Sequence, residues 1–438
     1  GGANVVKNIV DNGLQVADST RTWLTFDCNP TGSDQQYAAN QQTCRLFARE
    51  RHIGIYDIHS GIGTQLAIDN GLAVPGETLV STDSHANVMG AIGCFGQGMG
   101  DRDIAAAWAG GSVWFKVPES IKIILTGKRA SGITAKDIAL NLLKHFGASS
   151  LLGYSVELYG DETERLTLDE RITISSIATE MGAIILFFTP GEEIINYCYQ
   201  RSEREFSPVY ADAEAQYAKE FYLDLGSFFP AISLPGKPHD VVPVSRVKGR
   251  KIDSAFIGSC TNGRMEDMRN TAAILKGKKI APGVVLKIVP ATDEIWKKCL
   301  EEGLIEIFKS AGALVSNAGC AGCASGQVGQ NGPGEVTVST GNRNFPGKQG
   351  KGEVYLSSPA VAAASAIAGH ITTPDDLPDQ PSLFRGNREI RSLKKQESVQ
   401  STEKPNLLEG KVWLIQEDNI DTDMIYHNRH LTVTDISE

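Results

Sequence analysis

The chain has 438 residues, 41% of them hydrophobic and 21% charged, with a formal net charge of −10 at pH 7. This is the composition of an ordinary globular chain of roughly two to four domains with ample core. The acidic balance, without a basic cluster interleaved with aromatics, excludes a general nucleic-acid binder, and no apolar run reaches the ~20 residues that span a bilayer.

The chain opens Gly1-Gly2-Ala3, without a methionine or a signal-peptide pattern. Apolar β-branched runs alternate with helical stretches, the signature of α/β layers with largely parallel sheets. We expect three such units, over 1–118, 119–235 and 236–372, then a Pro/Asp/Gln/Ser/Lys-rich linker over 373–410 and a strand opening at Gly410-Lys411-Val412. In the first unit a strand over Glu77–Val80 leads into Asp83-Ser84-His85 and a glycine-rich stretch, where open α/β sheets place ligands. Asp83 as a helix cap and His85 as an ordinary polar residue is the plainer alternative. Trp108 and Trp114 read as packing. In the second unit a strand over Ile121–Leu125 precedes a helix over Ala135–Phe146. A helix over Arg171–Gly182 carries Ser176 and Glu180, followed by a buried strand within Gly182–Phe188.

The third unit holds the most informative residues. Cys260 follows the strand-like Ala255-Phe256-Ile257 in Gly258-Ser259-Cys260-Thr261-Asn262-Gly263-Arg264 and opens the predicted helix Met265–Leu275. Cys320 and Cys323 share a second glycine-rich turn. Three thiolates without an obvious fourth suit a [4Fe–4S] cluster with one iron left open, a Lewis acid rather than an electron carrier. A structural zinc, with His239 or another cysteine as fourth ligand, is the alternative. Eight cysteines in 438 residues are too few for a disulfide scaffold. Arg343, after a strand over Glu335–Ser339, supplies the planar fork that a carboxylate prefers; a surface ion pair is its plain reading.

These motifs, taken in order, resemble the aconitase superfamily, which includes aconitase, isopropylmalate isomerase and homoaconitase. The resemblance runs through Ser81-Thr82-Asp83-Ser84-His85, the segment 258–264, the pair Cys320 and Cys323, and Gly341-Asn342-Arg343-Asn344-Phe345-Pro346-Gly347. Asp421-Thr422-Asp423-Met424-Ile425 resembles the start of that family's swivel domain, so 411–438 is expected to be an incomplete swivel domain and the chain a piece of a longer assembly. Glu266-Asp267-Met268-Arg269 and the segment 107–118 look closer to the isopropylmalate isomerase and homoaconitase branch.

The resemblance implies three α/β/α domains around a [4Fe–4S] cluster on Cys260, Cys320 and Cys323. It implies catalytic roles for Asp83, His85, Glu180 and Asp27, and substrate contacts from Arg343, Lys348, Ser176 and Asn342. The expected function is dehydration and rehydration of a hydroxy di- or tricarboxylic acid. The base for the carbon-bound proton comes from a serine of the swivel domain, fused or as a separate small subunit. A reducing interior, cytoplasm or mitochondrial matrix, suits such a cluster. Four positions depart from the family pattern: Cys28 and Thr64 replace histidines, Ser176 replaces asparagine and Lys348 replaces an arginine. They support a second reading, a cluster-binding paralogue with impaired catalysis and a regulatory or iron-sensing role. His59 is a candidate to compensate at Thr64.

Overall fold

The computed structural model describes residues 1–32, 34–323 and 327–381. The expected swivel-like segment 411–438, the strand at its start and the linker beyond 381 lie outside them. Gly1–Phe384 form one compact unit. The fold is mixed α/β with largely parallel sheets.

In the first segment, Trp23–Thr25 (β1) pairs with Gly54–Tyr56 (β2) and Thr78–Ser81 (β3) with Phe95–Gly98 (β4), both in parallel. Helices fill the rest of it. Among the described residues no wide sheet forms there, because glycines interrupt the apolar runs, as in β4 itself. A four-stranded parallel sheet follows, built from Ser120–Thr126 (β5), Ser155–Tyr159 (β6), Ile185–Phe188 (β7) and Lys219–Asp224 (β8) in the order β7-β6-β5-β8. The third sheet has seven strands: Ala231–Ser233 (β9), Val241–Pro243 (β10), Ser254–Ile257 (β11), Val285–Ile288 (β12), Leu314–Val315 (β13), Val336–Ser339 (β14) and Glu353–Ser357 (β15). Its order is β10-β9-β15-β14-β11-β12-β13, antiparallel only at the β9 pairings. All residues of β11 and β14 are buried, as expected of strands covered on both faces. Ser339 lies opposite Phe256, and Ile288 opposite both Ile257 and Val315, so these strands end level with one another.

Helices Ala135–Phe146 and Met265–Leu275 form over the expected residues. The first is set by a Thr134–Asp137 capping box and stopped by Gly147. Two expectations need correction. The helix placed over 171–182 instead spans Leu168–Ser175, because Thr167 and Glu170 form a capping box that starts it earlier. It tightens into a 3-10 turn at Ser176–Thr179, where the Ser176 hydroxyl donates to the Thr173 carbonyl at 2.7 Å. Cys260 does not open helix Met265–Leu275. It sits on a single helical turn, Ser259–Asn262, and the helix proper begins only after Arg264. The dipole of the longer helix therefore does not act directly on its sulfur. The tryptophans also part ways. Trp108 stacks on Phe47 with ring centroids 6.3 Å apart, whereas Trp114 is 86% exposed on an irregular strap.

Gly258 allows the turn that carries Cys260. Its φ is 151°, and a Cβ there would stand 2.5 Å from the Val289 carbonyl oxygen. Gly258→Ala is expected to lower unfolding stability by about 2–3 kcal/mol, read as a shifted denaturant midpoint at constant slope. An unchanged midpoint would show that the strand-to-turn junction yields without cost.

Candidate active site

Five parallel strands point their carboxyl ends at one cavity of about 1150 Å³. Beyond β1 come Asp27 and Cys28; beyond β3, Asp83 and His85. Cys260 follows β11, the Cys320–Cys323 turn follows β13, and Arg343 and Lys348 follow β14. All nine side chains line the cavity. Such convergence is the usual consequence of aligned parallel strands, whose loops on that side are free to vary.

The two cysteine turns are held in strained backbone. Ser259 has φ 77° and Ala321 φ 47°, both left-handed for non-glycine residues. The Cys260 carbonyl accepts from Gln65 Nε2 at 2.7 Å, and the Cys320 N–H donates to the Asp27 carbonyl at 3.0 Å. Burial pushes the Cys260 thiol well up, with the neighbouring Cys323 charge adding to it. A bond with Cys28 and burial raise Cys320, and burial raises Cys323. Three thiols that resist ionisation together become good ligands once a cation compensates them. Among the described residues, only Asp27, Cys28 and Cys320 place three donor atoms within 4.8 Å of one another. Cys260, Cys320 and Cys323 therefore do not converge as a single ion's ligands do. Their wider spacing suits thiolates bound to separate irons of a cluster and disfavours a mononuclear zinc on the same trio.

Opposite the thiols, one carboxylate oxygen organises two groups. Glu180 Oε1 accepts from Arg343 Nε at 2.7 Å and faces His85 Nε2 at 3.1 Å. The Glu180 side chain is 3% exposed, so the solvated-helix reading of this residue does not hold. Burial opposes its charge, but the facing His85 ring and Arg343 guanidinium outweigh burial and hold the carboxyl below its ordinary range. The terminal nitrogens of Arg343 have no hydrogen-bond partner among the described residues and belong to a side chain on the cavity wall. Asp83 plays a smaller part than expected. Its Oδ1 accepts the His85 backbone N–H at 2.9 Å but stands 4.0 Å from the ring Nδ1, so Glu180 is the imidazole's carboxylate partner. The plain capping reading of Asp83 does not hold, because the short helix that follows, Ala86–Ile92, has His85 at its N-cap and no side-chain cap.

Glu180, Ser176 and Asn342 do not line the cavity; they lie behind its wall. Asn342 Nδ2 donates to Ser176 Oγ at 3.2 Å. Its Oδ1 accepts from Lys136 Nζ at 2.9 Å, which also donates to the Gly341 carbonyl at 3.0 Å. Ser176 and Asn342, expected to touch substrate, instead brace the turn that carries Arg343. Thr64 lines the cavity with no partner for its hydroxyl among the described residues. His59 does not compensate: it lines a different hollow, with Asp293 and Lys297. Gly61 explains this, since it bridges to Thr292 and turns the chain between His59 and the cavity. Asp27 Oδ2 accepts the Gly63 N–H at 2.9 Å, and burial, reinforced by the Asp83 charge, raises its carboxyl.

Residues 2–369 match the model of the aconitase family (aconitate hydratase). The chain belongs to the aconitase family. It is an aconitase-type hydro-lyase, and enzymes of this family carry an iron–sulfur cluster. It is 40% identical to a probable 3-isopropylmalate dehydratase large subunit of Methanothermobacter thermautotrophicus, over 83% of this chain and 87% of that one. It is 39% identical to the homoaconitase large subunit of Thermus thermophilus, over 82% and 86%. The crystal structure of Thermococcus kodakaraensis aconitase X (holo-form) aligns with 14% identity and a TM-score of 0.47, covering 78% of this chain and 79% of that one. These relatives do not favour the reading of an impaired paralogue. No helix among the described residues is long and apolar enough to cross a membrane.

Two parts of this aconitase-family site escaped sequence reasoning. Lys136 is fully buried, and burial pushes its ammonium down to about 8. It reads as a surface-helix lysine because its partners lie 205 residues and more away. Arg264, in the cysteine motif, does not face substrate. It is buried against Asp69 at 2.7 Å and Asp169 at 2.8 Å, joining residues of all three sequence segments. Nearby Asp267 accepts from Asn262 Nδ2 at 3.0 Å and from the Arg264 N–H at 3.1 Å. Burial pushes its carboxyl up to about 7, against an ordinary 3.8. The folded chain thus holds this proton more tightly than the unfolded one, and stability from this residue falls as pH rises from about 4 to about 7. The stability of wild type relative to Asp267→Asn should decline over that window, as read by urea titrations at its two ends. A difference independent of pH would show that Asp267 is ionised throughout.

Proposed function

We propose that this chain is the large-subunit part of a hydro-lyase that dehydrates and rehydrates a hydroxy acid with two or three carboxylates, of isopropylmalate, homoaconitate or aconitate type. Cys260, Cys320 and Cys323 hold its [4Fe–4S] cluster. The isopropylmalate dehydratase and homoaconitase large subunits among its relatives support this. The observation that carries it is the single Glu180 oxygen that ties His85 and Arg343 into the cavity bearing the three thiols.

When bound, the cluster supplies a Lewis acid for the substrate hydroxyl. The chain's own residues do the rest. Arg343, with Nε committed to Glu180, offers its outer fork to the substrate's far carboxylate, and Lys348 adds a second cation on the same wall. Glu180 orients the His85 ring, which handles the hydroxyl proton, with Asp83 fixing the His85 backbone. Asp27, with its raised carboxyl, is the acid for the departing oxygen where Cys28 stands in place of the family histidine. Ser176, Asn342 and Lys136 hold the Arg343 turn in place. The base for the carbon-bound proton comes from a swivel domain, fused or as a separate small subunit. The division into units 1–118, 119–235 and 236–372 and a location in a reducing interior, cytoplasm or mitochondrial matrix, belong to the same proposal.

The test is anaerobic reconstitution with iron and sulfide, followed by assay of the unsaturated acid's ultraviolet absorbance on citrate, homocitrate and isopropylmalate. The chain alone should be silent and become active when the swivel partner is added. Full turnover by the chain alone would overturn the assignment of the missing base.

A further inference from the structure

Of the eight cysteines, Cys28 alone is exposed. It lines the same cavity as the proposed cluster ligands. Its sulfur lies within 4.8 Å of the Cys320 sulfur, and a carboxylate oxygen of Asp27 lies within 4.8 Å of each. The backbones are already joined, for the Cys320 N–H donates to the Asp27 carbonyl at 3.0 Å, one residue before Cys28. A backbone bond of that length holds two segments at neighbouring-strand spacing, a separation that a disulfide bridges (about 4.4–6.8 Å between Cα atoms). Cys320 is less accessible than Cys28 and is followed by Ala321 at φ 47°, so its turn is set. An exposed thiol beside a more sheltered one is the arrangement in which the first meets an oxidant and the second resolves the product.

We propose that Cys28 is a thiol-modification site for small disulfides, and that its product, a Cys28–Cys320 bridge, bars the iron-free chain from loading a cluster. The inference rests on the reading of Cys320 as a cluster ligand. In the first step the Cys28 sulfur attacks one sulfur of a small disulfide. The S–S bond breaks, a mixed disulfide forms on Cys28, and one small thiol leaves with the Cys28 proton. In the second step the Cys320 sulfur attacks the Cys28 sulfur of that mixed disulfide. The second small thiol leaves with the Cys320 proton, and the protein bridge remains. Two protein thiols are oxidised and one small disulfide is reduced to two thiols. An excess of a small dithiol reverses the sequence. The bridge removes one of three ligand sulfurs and leaves Cys260 and Cys323, too few to hold a cluster. In the loaded chain Cys320 is engaged, so the reaction stops at one adduct on Cys28.

The experiment treats the iron-free chain anaerobically with oxidised glutathione, maps its linked peptides by mass, and then offers iron and sulfide with and without prior dithiothreitol. The expected result is a Cys28–Cys320 linked peptide, loss of iron uptake, and recovery of both thiols and uptake after dithiothreitol. Cys28→Ser and Cys28→His should form no such link and should load iron after the same oxidation. The loaded wild-type chain should gain the mass of one glutathione on Cys28. A Cys320–Cys323 link in place of the expected one, or none, overturns the proposal. So does an oxidised wild-type chain that loads iron as well as the reduced one. A fully reduced chain that takes up no iron overturns instead the cluster assignment on which the inference rests, whatever link is found.

Discussion

Arg343→Lys is expected to lower kcat/KM by about a hundredfold, roughly 2–3 kcal/mol, with most of the loss in KM. The reason is geometric. Arg343 spends Nε on Glu180, and its two terminal nitrogens, on a side chain that lines the cavity, have no hydrogen-bond partner among the described residues. A lysine has one nitrogen, which can serve either Glu180 or a substrate carboxylate but cannot present a planar pair to either. Because Glu180 is fully buried, an unpaired charge there has no water to turn to, and the lysine is expected to stay with it. Binding of the far carboxylate then fails while the cluster stays in place. Steady-state kinetics over a series of substrate concentrations, together with iron analysis, separates these effects. A kcat/KM within threefold of wild type would remove Arg343 from the substrate site.

Cys260→Ser is expected to abolish activity outright and to leave the reconstituted chain without the brown absorbance of a cluster, its iron falling from about four per chain to near none. Serine is close to cysteine in volume and should keep the Ser259–Asn262 turn, whose anchor to Gln65 is made by the residue's backbone carbonyl rather than by its sulfur. Its hydroxyl cannot replace a thiolate as a soft ligand. Stability in urea should therefore stay within about 1 kcal/mol of the iron-free parent, which separates loss of ligation from loss of fold. A variant that retains a full complement of iron would assign the third ligand to another residue, and Cys28, on the same cavity wall, is the first to examine.

Much of the fold was legible because its signals are local. The helices Ala135–Phe146 and Met265–Leu275 carry caps and an apolar face within their own span, and both form over the expected residues. The strand before Cys260 was legible as a short apolar run flanked by glycine. The tight end of the helix that carries Ser176 was not, because a serine back-bond to Thr173 set it. The exposure of Trp114 was not legible either, since aromatic content says nothing about which side of a strap faces the interior.

The site divides along the same physical line. From residues alone came the family, the three cysteines, Asp83-His85 and the arginine turn, because reactive groups on strand-end loops recur in fixed short motifs. Only the tertiary structure decided who holds whom. Glu180, expected in a catalytic role, is the buried link between His85 and Arg343, while Ser176 and Asn342, expected to touch substrate, stand behind the wall with Lys136. Cys28 was noted as a departure, and the structure sets it against Cys320. Such partners lie scores to hundreds of residues apart, and a short motif contains no information about distances across the core. Burial turns an ordinary carboxylate or ammonium into an organising charge, and burial is a property of the packed chain as a whole.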